Sequence, residues 1–225
     1  MDLAGKPMLE RQLERLERCA RADEIVLALT ANAADDPLVE LAERRGLRWH
    51  RGSEEDVLSR YAGAAREAAA DLVVRVTSDC PLIDPDETDA VIGALEERRE
   101  AVDYASNRLE PHLPRGLDTE AFWRDTLERM DRLATSRPAR EHVTWFCYQE
   151  RADLFELYSV RRPVDAYDLR WTVDTADDLE MVRRLYADLG LAEAPRPLAE
   201  VLSYVRNHPE IAAINGHIEQ KDPTA

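Results

Sequence analysis

Two acids stand out for the chemistry they could share. Asp79 follows an apolar run that opens with Leu72, Val73 and Val74, and Asp174 follows Leu169, Trp171 and Val173. In an open parallel sheet, ligands bind outside the carboxyl ends of the strands, and both carboxylates are expected at that edge. Hard oxygens there suit Mg²⁺, which takes one or two protein carboxylates and completes its octahedron with water and substrate phosphate. Spacing alone gives equal weight to a plainer reading, in which Asp79 opens a turn before Pro81 and Asp174 simply ends a strand.

Other polar residues have ordinary explanations beside the chemical ones. Asp177 and Asp178 follow Thr175, a good N-cap, and acids in a first helical turn are favoured by the macrodipole, so they read as structural. His142, flanked by Arg140 and Glu141, is a lone helical histidine, more often a satisfied side chain than a base. Arg115-Gly116 reads as a solvated turn into a strand. Ser53 and Asp56 have the spacing of a helix cap, which explains them as well as ligand contact does.

These residues need a scaffold of alternating strands and helices. Leu9, Leu13 and Leu16 mark a helix over residues 8–19, and residues 25–29 form a short apolar strand. A second helix closes near Gly46, followed by a strand over 47–50 and a helix through Val57, Leu58, Tyr61 and Ala65. Residues 72–76 are the clearest buried strand, and a helix resumes at Val91, Ile92 and Leu95. Strands separated by helices of this length imply βαβ crossovers and a mostly parallel sheet. Between 102 and 164 the pattern changes: strands over 104–107, 117–122 and 154–160 surround helices over 123–133 and 140–148, which suggests an inserted α+β lobe. The core pattern returns with a strand over 169–174 and helices over 176–189 and 198–207, and residues 216–225 form a polar tail expected to be loose.

Bulk properties narrow the function. A chain of 225 residues with 44% hydrophobic residues supports one α/β domain with an appendage, spanning residues 1–215. A formal net charge of -16, from 46 acidic against 30 basic side chains, repels nucleic acid and anionic lipid. Three scattered cysteines without CxxC spacing suggest neither disulfides nor zinc, and no apolar run approaches the ~20 residues that span a bilayer. A cytoplasmic location is expected.

Five ordered blocks are more specific than any single residue: Leu3-Ala4-Gly5-Lys6-Pro7; Arg51-Gly52-Ser53 through Tyr61; Arg75-Val76-Thr77-Ser78-Asp79-Cys80-Pro81; Arg140-Glu141-His142-Val143-Thr144; and Arg170-Trp171-Thr172-Val173-Asp174-Thr175. Together, over roughly residues 2–190, they resemble the sugar cytidylyltransferase family. The similarity is greatest to its spore-coat polysaccharide biosynthesis protein F branch, related to the enzymes that make CMP-Kdo and CMP-sialic acid. The resemblance implies a doubly wound nucleotide-diphospho-sugar transferase-like core, transfer of CMP from CTP to a sugar or sugar-acid hydroxyl with release of pyrophosphate, and a homodimer formed through the inserted lobe. It also implies Mg²⁺ held by Asp79 and Asp174, Lys6 and Arg75 acting near the nucleotide, and Ser53, Asn107, Asp118 and His142 facing the substrates.

The chain departs from the family pattern at its start, where members carry a strand and a Gly/Ser/Arg/Lys loop around the CTP phosphates before the segment beginning here at Leu3. The eight glycines offer no replacement loop, and a central strand is expected to be missing from the sheet, leaving edges unpaired. A non-catalytic homologue that lost the loop is the alternative reading, disfavoured by the presence of both acids. A nucleotide-sugar glycosyltransferase is disfavoured because Cys80 and Pro81, rather than a second acid, follow Asp79.

Overall fold

The structure, a computed structural model, describes residues 1–219. Its first half holds a hairpin of β1 (Asp2–Leu3) and β2 (Lys6–Pro7), helix α1 (Met8–Leu16), strand β3 (Val26–Thr30), α2 (Asp36–Arg45), β4 (Arg48–Gly52), α3 (Val57–Glu67), β5 (Leu72–Arg75) and α4 (Pro85–Glu96). Then come β6 (Tyr104–Ser106), β7 (Glu120–Trp123), α5 (Arg124–Leu133), α6 (Arg137–Glu141), β8 (Leu157–Ser159), α7 (Ala176–Leu189), α8 (Leu198–Asn207) and α9 (Pro209–Ala213).

The α/β class stands, with mixed strand pairing. β3 and β4 pair in parallel across α2, whose end is set by Gly46 in the left-handed region, at φ 67°. A second sheet runs β5-β7-β6-β8: β7 is antiparallel to both neighbours and β8 is parallel to β6. Segment 102–164, expected as an inserted lobe, thus completes the sheet that β5 begins.

Among the described residues, β3 and β5 each carry a ladder on one edge only, so no pairing joins the two sheets. That arrangement explains a difference from the sequence expectation. Residues 72–76 carry the strongest apolar strand pattern, yet every residue of β5 is only half-buried, while β6 and β7, paired on both sides or tucked beneath α4, are buried throughout.

Segment 169–174, expected as a strand, forms only an isolated parallel bridge between Arg115 and Arg170. It runs extended between two other segments instead: the Trp171 N–H donates to the Arg115 carbonyl at 2.7 Å, and the Val173 N–H to the Asp79 carbonyl at 2.8 Å. The Trp171 and Val173 side chains anchor it in the core against Leu179, Val182 and Leu185 of α7. Gly116 makes this approach possible: its φ is +102°, and a Cβ there would lie 2.7 Å from the Thr172 backbone nitrogen.

The helix expected over 140–148 is broken. α6 stops at Glu141, Val143 takes φ +53°, and a π-helical turn follows over Phe146–Glu150. A β-branched residue in the left-handed region is strained, and here full burial of Val143 holds it. Asp56 rather than Ser53 caps α3, accepting from the Ser59 N–H at 3.0 Å, and Ser53 Oγ accepts from the Asp56 N–H. Thr175 caps α7 in a reciprocal box with Asp178. All three cysteines are free and buried, and among the described residues no helix is long and apolar enough to cross a membrane. Of the tail, residues 220–225 lie outside the described residues, whereas 216–219 follow α9 closely, with the Ile218 N–H on the Asn215 carbonyl.

Candidate active site

The bridge between Arg115 and Arg170, with the Asp79–Val173 hydrogen bond beside it, places three chain segments around one cavity of about 530 Å³. Five residues picked out from the sequence line it together: Arg75, Asp79, Asp118, His142 and Asp174. Three others do not. Lys6 pairs with Glu14 and borders a separate hollow with Tyr186 and Leu191. Ser53 is exposed on the loop before α3. Asn107 is buried, with both ends of its amide engaged: Nδ2 donates to the Leu117 carbonyl and Oδ1 accepts from the Thr119 N–H, both at 2.8 Å. Its work is to hold the loop that presents Asp118. A larger hollow of about 650 Å³ beside Trp123 is lined by Arg99, Arg124 and six acids, none of them a residue picked out from the sequence.

Each acid is oriented by a neighbour. Asp79 Oδ2 accepts from the Thr172 hydroxyl at 2.9 Å, and Oδ1 faces the Cys80 thiol at 3.4 Å. Asp174, with 45% of its side chain exposed, is ion-paired with Arg170. Arg170 in turn donates from Nε to Asp178 Oδ1 at 2.9 Å. Asp178 is fully buried and also accepts from the backbone N–H groups of Asp174 and Thr175 and from Asn215 Nδ2. Burial pushes its carboxyl up, but the bonds from Arg170 and Asn215 outweigh that and hold it below the usual carboxylate range. The reading of Asp178 as structural therefore extends to fixing Arg170.

The opposite wall depends on a residue the sequence reading missed. Glu120 on β7 lies directly across the ladder from Arg75 on β5, and the two form a buried ion pair. Glu120 also accepts from the Tyr104 hydroxyl and the Thr144 hydroxyl, each at 2.6 Å. Burial raises its carboxyl, and the Arg75 and Arg108 charges more than reverse that, keeping it ionised. A single charge inside each of two apolar strands, opposite in sign, was the available signal. Arg108, Arg115 and Arg170 also line the cavity; Arg115 was read from the sequence as part of a solvated turn, and Arg108 had no pattern to mark it. Asp118 sits on the same wall with its carboxyl raised by burial.

Among the described residues no cluster of three or more side chains could hold a metal ion by itself. Two acids on adjoining segments of one open cavity form instead the hard, incomplete donor set that suits Mg²⁺ shared with substrate phosphate. Asp79 and Asp174 fit that ion.

The family profile described as Cytidylyltransferase matches residues 1–202. The spore coat polysaccharide biosynthesis protein SpsF of Bacillus subtilis is 29% identical over 84% of this chain and 78% of its own length. The 3-deoxy-manno-octulosonate cytidylyltransferase of Anaeromyxobacter dehalogenans is 28% identical over 83% of this chain and 89% of its own. Among solved structures, a cytidylyltransferase from Leptospira borgpetersenii superposes with a TM-score of 0.89, covering 99% of this chain and 91% of that one at 25% identity.

Proposed function

The chain belongs to the cytidylyltransferase family, and we propose that it moves CMP from CTP to a hydroxyl of a sugar or sugar acid. In this step the acceptor oxygen forms a bond to the α-phosphorus, the bond from that phosphorus to the bridging oxygen breaks, pyrophosphate departs and the hydroxyl gives up its proton. The observation that carries the proposal is the meeting of Asp79 and Asp174 on one cavity, their segments joined by the Val173–Asp79 hydrogen bond.

Asp79 and Asp174 are assigned to Mg²⁺, which when bound supplies charge neutralisation at the phosphate oxygens. The chain's own residues do the positioning. Thr172 aims Asp79, and Arg170, locked by Asp178, aims Asp174. Arg75, held in place by its ion pair with Glu120, lines the facing wall and can offer its remaining N–H groups to a substrate. No side chain is required as a nucleophile. The name of the Bacillus subtilis relative supports a role in making cell-surface polysaccharide. Action in the cytoplasm as a homodimer is part of the same proposal.

The test is release of pyrophosphate from CTP in the presence of Mg²⁺ and a panel of sugars and sugar acids, with and without chelator. Asp79→Asn and Asp174→Asn are each expected to lower the rate by roughly 100-fold or more while melting temperature stays near that of the parent. Release that survives both substitutions would falsify the assignment. CTP binding without release from the parent points to the non-catalytic alternative.

A further inference from the structure

The network that aims Asp174 is nearly local. Asp178 receives hydrogen bonds from the Arg170 guanidinium, the Asp174 and Thr175 N–H groups and the Thr175 hydroxyl, all within residues 170–175. One more donor reaches it from a distant part of the chain. Asn215 Nδ2 donates to Asp178 Oδ1 at 2.8 Å, and the same nitrogen donates to the Arg170 carbonyl at 2.9 Å. A side-chain amide nitrogen carries two hydrogens, enough for both acceptors. Buried Asn215 therefore grips Arg170 twice, its guanidinium through Asp178 and its backbone directly. Arg170 is the residue paired with Asp174.

Core packing sets where Asn215 stands. Ile211 of α9 is buried in one cluster with Val201 and Val205 of α8 and Leu185 of α7, which brings the chain leaving α9 back beside α7. His217 Nε2 lies 3.4 Å from Asp177 in the first turn of α7. The Ile218 N–H donates to the Asn215 carbonyl at 3.0 Å and closes a turn, after which Ile218 and Glu219 border the cavity. Ile218 is half-buried there, an apolar side chain among mostly polar ones. The family profile matches residues 1–202, so this part of the cavity comes from beyond the matched residues. A ligand that fills the cavity covers Ile218 and binds best when Asp174 is aimed; occupancy and the seating of this segment then favour each other reciprocally. Resting on the transferase reading above, we infer that Asn215 is a positioning residue for Asp174, and that residues 216–219, which it anchors, form a wall of the site seated more firmly when nucleotide is bound.

Titration calorimetry of CTP on the full chain, with Mg²⁺ and with chelator, reads the aim of Asp174 without turnover. The parent is expected to bind CTP at least about tenfold more tightly with the ion, and Asn215→Ala to lose most of that gain. His217→Ala, in the same segment but outside the cavity lining, should keep it. An equal loss in both variants marks a general loosening of the segment and overturns the positioning role. In the parent, hydrogen exchange over residues 214–219 should slow at least about fivefold on saturation with CTP and Mg²⁺. That measurement needs no substitution, so it decides the matter even where Asn215→Ala does not fold; unchanged exchange overturns the inference. A gain in CTP affinity that Asn215→Ala keeps and Asp174→Asn loses also overturns it, and leaves the transferase reading intact. A gain and an exchange response that both depend on Asn215, without pyrophosphate release from any mixture, defeat the transferase reading and leave the positioning role standing.

Discussion

β5 and β7 lie side by side and invert the usual relation between composition and burial. β5 contributes Leu72, Val73 and Val74 yet is half-buried along its whole length; β7 begins with a glutamate and is buried at every residue. The difference lies in pairing. β7 has a strand on each side, and β5 has one. A central position can carry an ionised Glu120 because Arg75 stands opposite it and two hydroxyls complete its bonding. The cavity wall is therefore rigid where β7 builds it and more open to solvent where β5 alone does.

The severest challenge to this contrast is Glu120→Ala, which leaves Arg75 and Arg108 without their shared partner. A loss of about 3–5 kcal/mol is expected in denaturant melts; a loss below 1 kcal/mol would show that β7 is not the stiff element. Next in size is Gly116→Ala, expected to remove roughly 2–3 kcal/mol through an unfavourable φ and contact with the Thr172 backbone. It should also impair CTP turnover, because it separates the loop carrying Asp118 from the segment carrying Asp174.

Asp178→Asn extends the comparison to charge. Asp178 has its folded pKa held low, so its contribution to stability is complete above the ordinary carboxylate value near ~4 and fades as pH falls through the lower folded value. At neutral pH the variant should lose about 1–2 kcal/mol. In melting curves recorded from pH 7 to pH 2, its stability should fall less steeply than the parent's below about pH 4. The smallest effect belongs to Val74→Ala on β5, about 1 kcal/mol, because that side chain is only partly buried, at the margin of a core cluster. An effect as large as that of Glu120→Ala erases the distinction between the strands.

Much of the scaffold could be read from local pattern. α7 and α8 have the bounds that the apolar spacing predicts, and Thr175 caps α7 as its residue type suggests. Arg75, Asp79, Asp118, His142 and Asp174 reach one cavity from four separate stretches of chain. What escaped the sequence was long-range. The Arg75–Glu120 pairing depends on antiparallel register across 45 positions, which no local period encodes. Segment 169–174 has a strand's composition, but its backbone partners lie on two different loops, so it bridges without forming a ladder. Lys6 and Ser53 were picked out by motif similarity and lie away from this cavity, Lys6 paired with Glu14 and Ser53 Oγ accepting from the Asp56 N–H.

Val143 illustrates how a stability screen could mislead an engineer. Its left-handed backbone joins His142, on the cavity, to Thr144, on Glu120. Glycine or asparagine tolerates that conformation more easily, so a screen that scored backbone strain alone would favour Val143→Gly or Val143→Asn. Gly would relieve the strain while emptying a fully buried site behind the histidine. Variants chosen that way should be sorted a second time for turnover, since the bulk that strains the link is also what keeps its two ends in place.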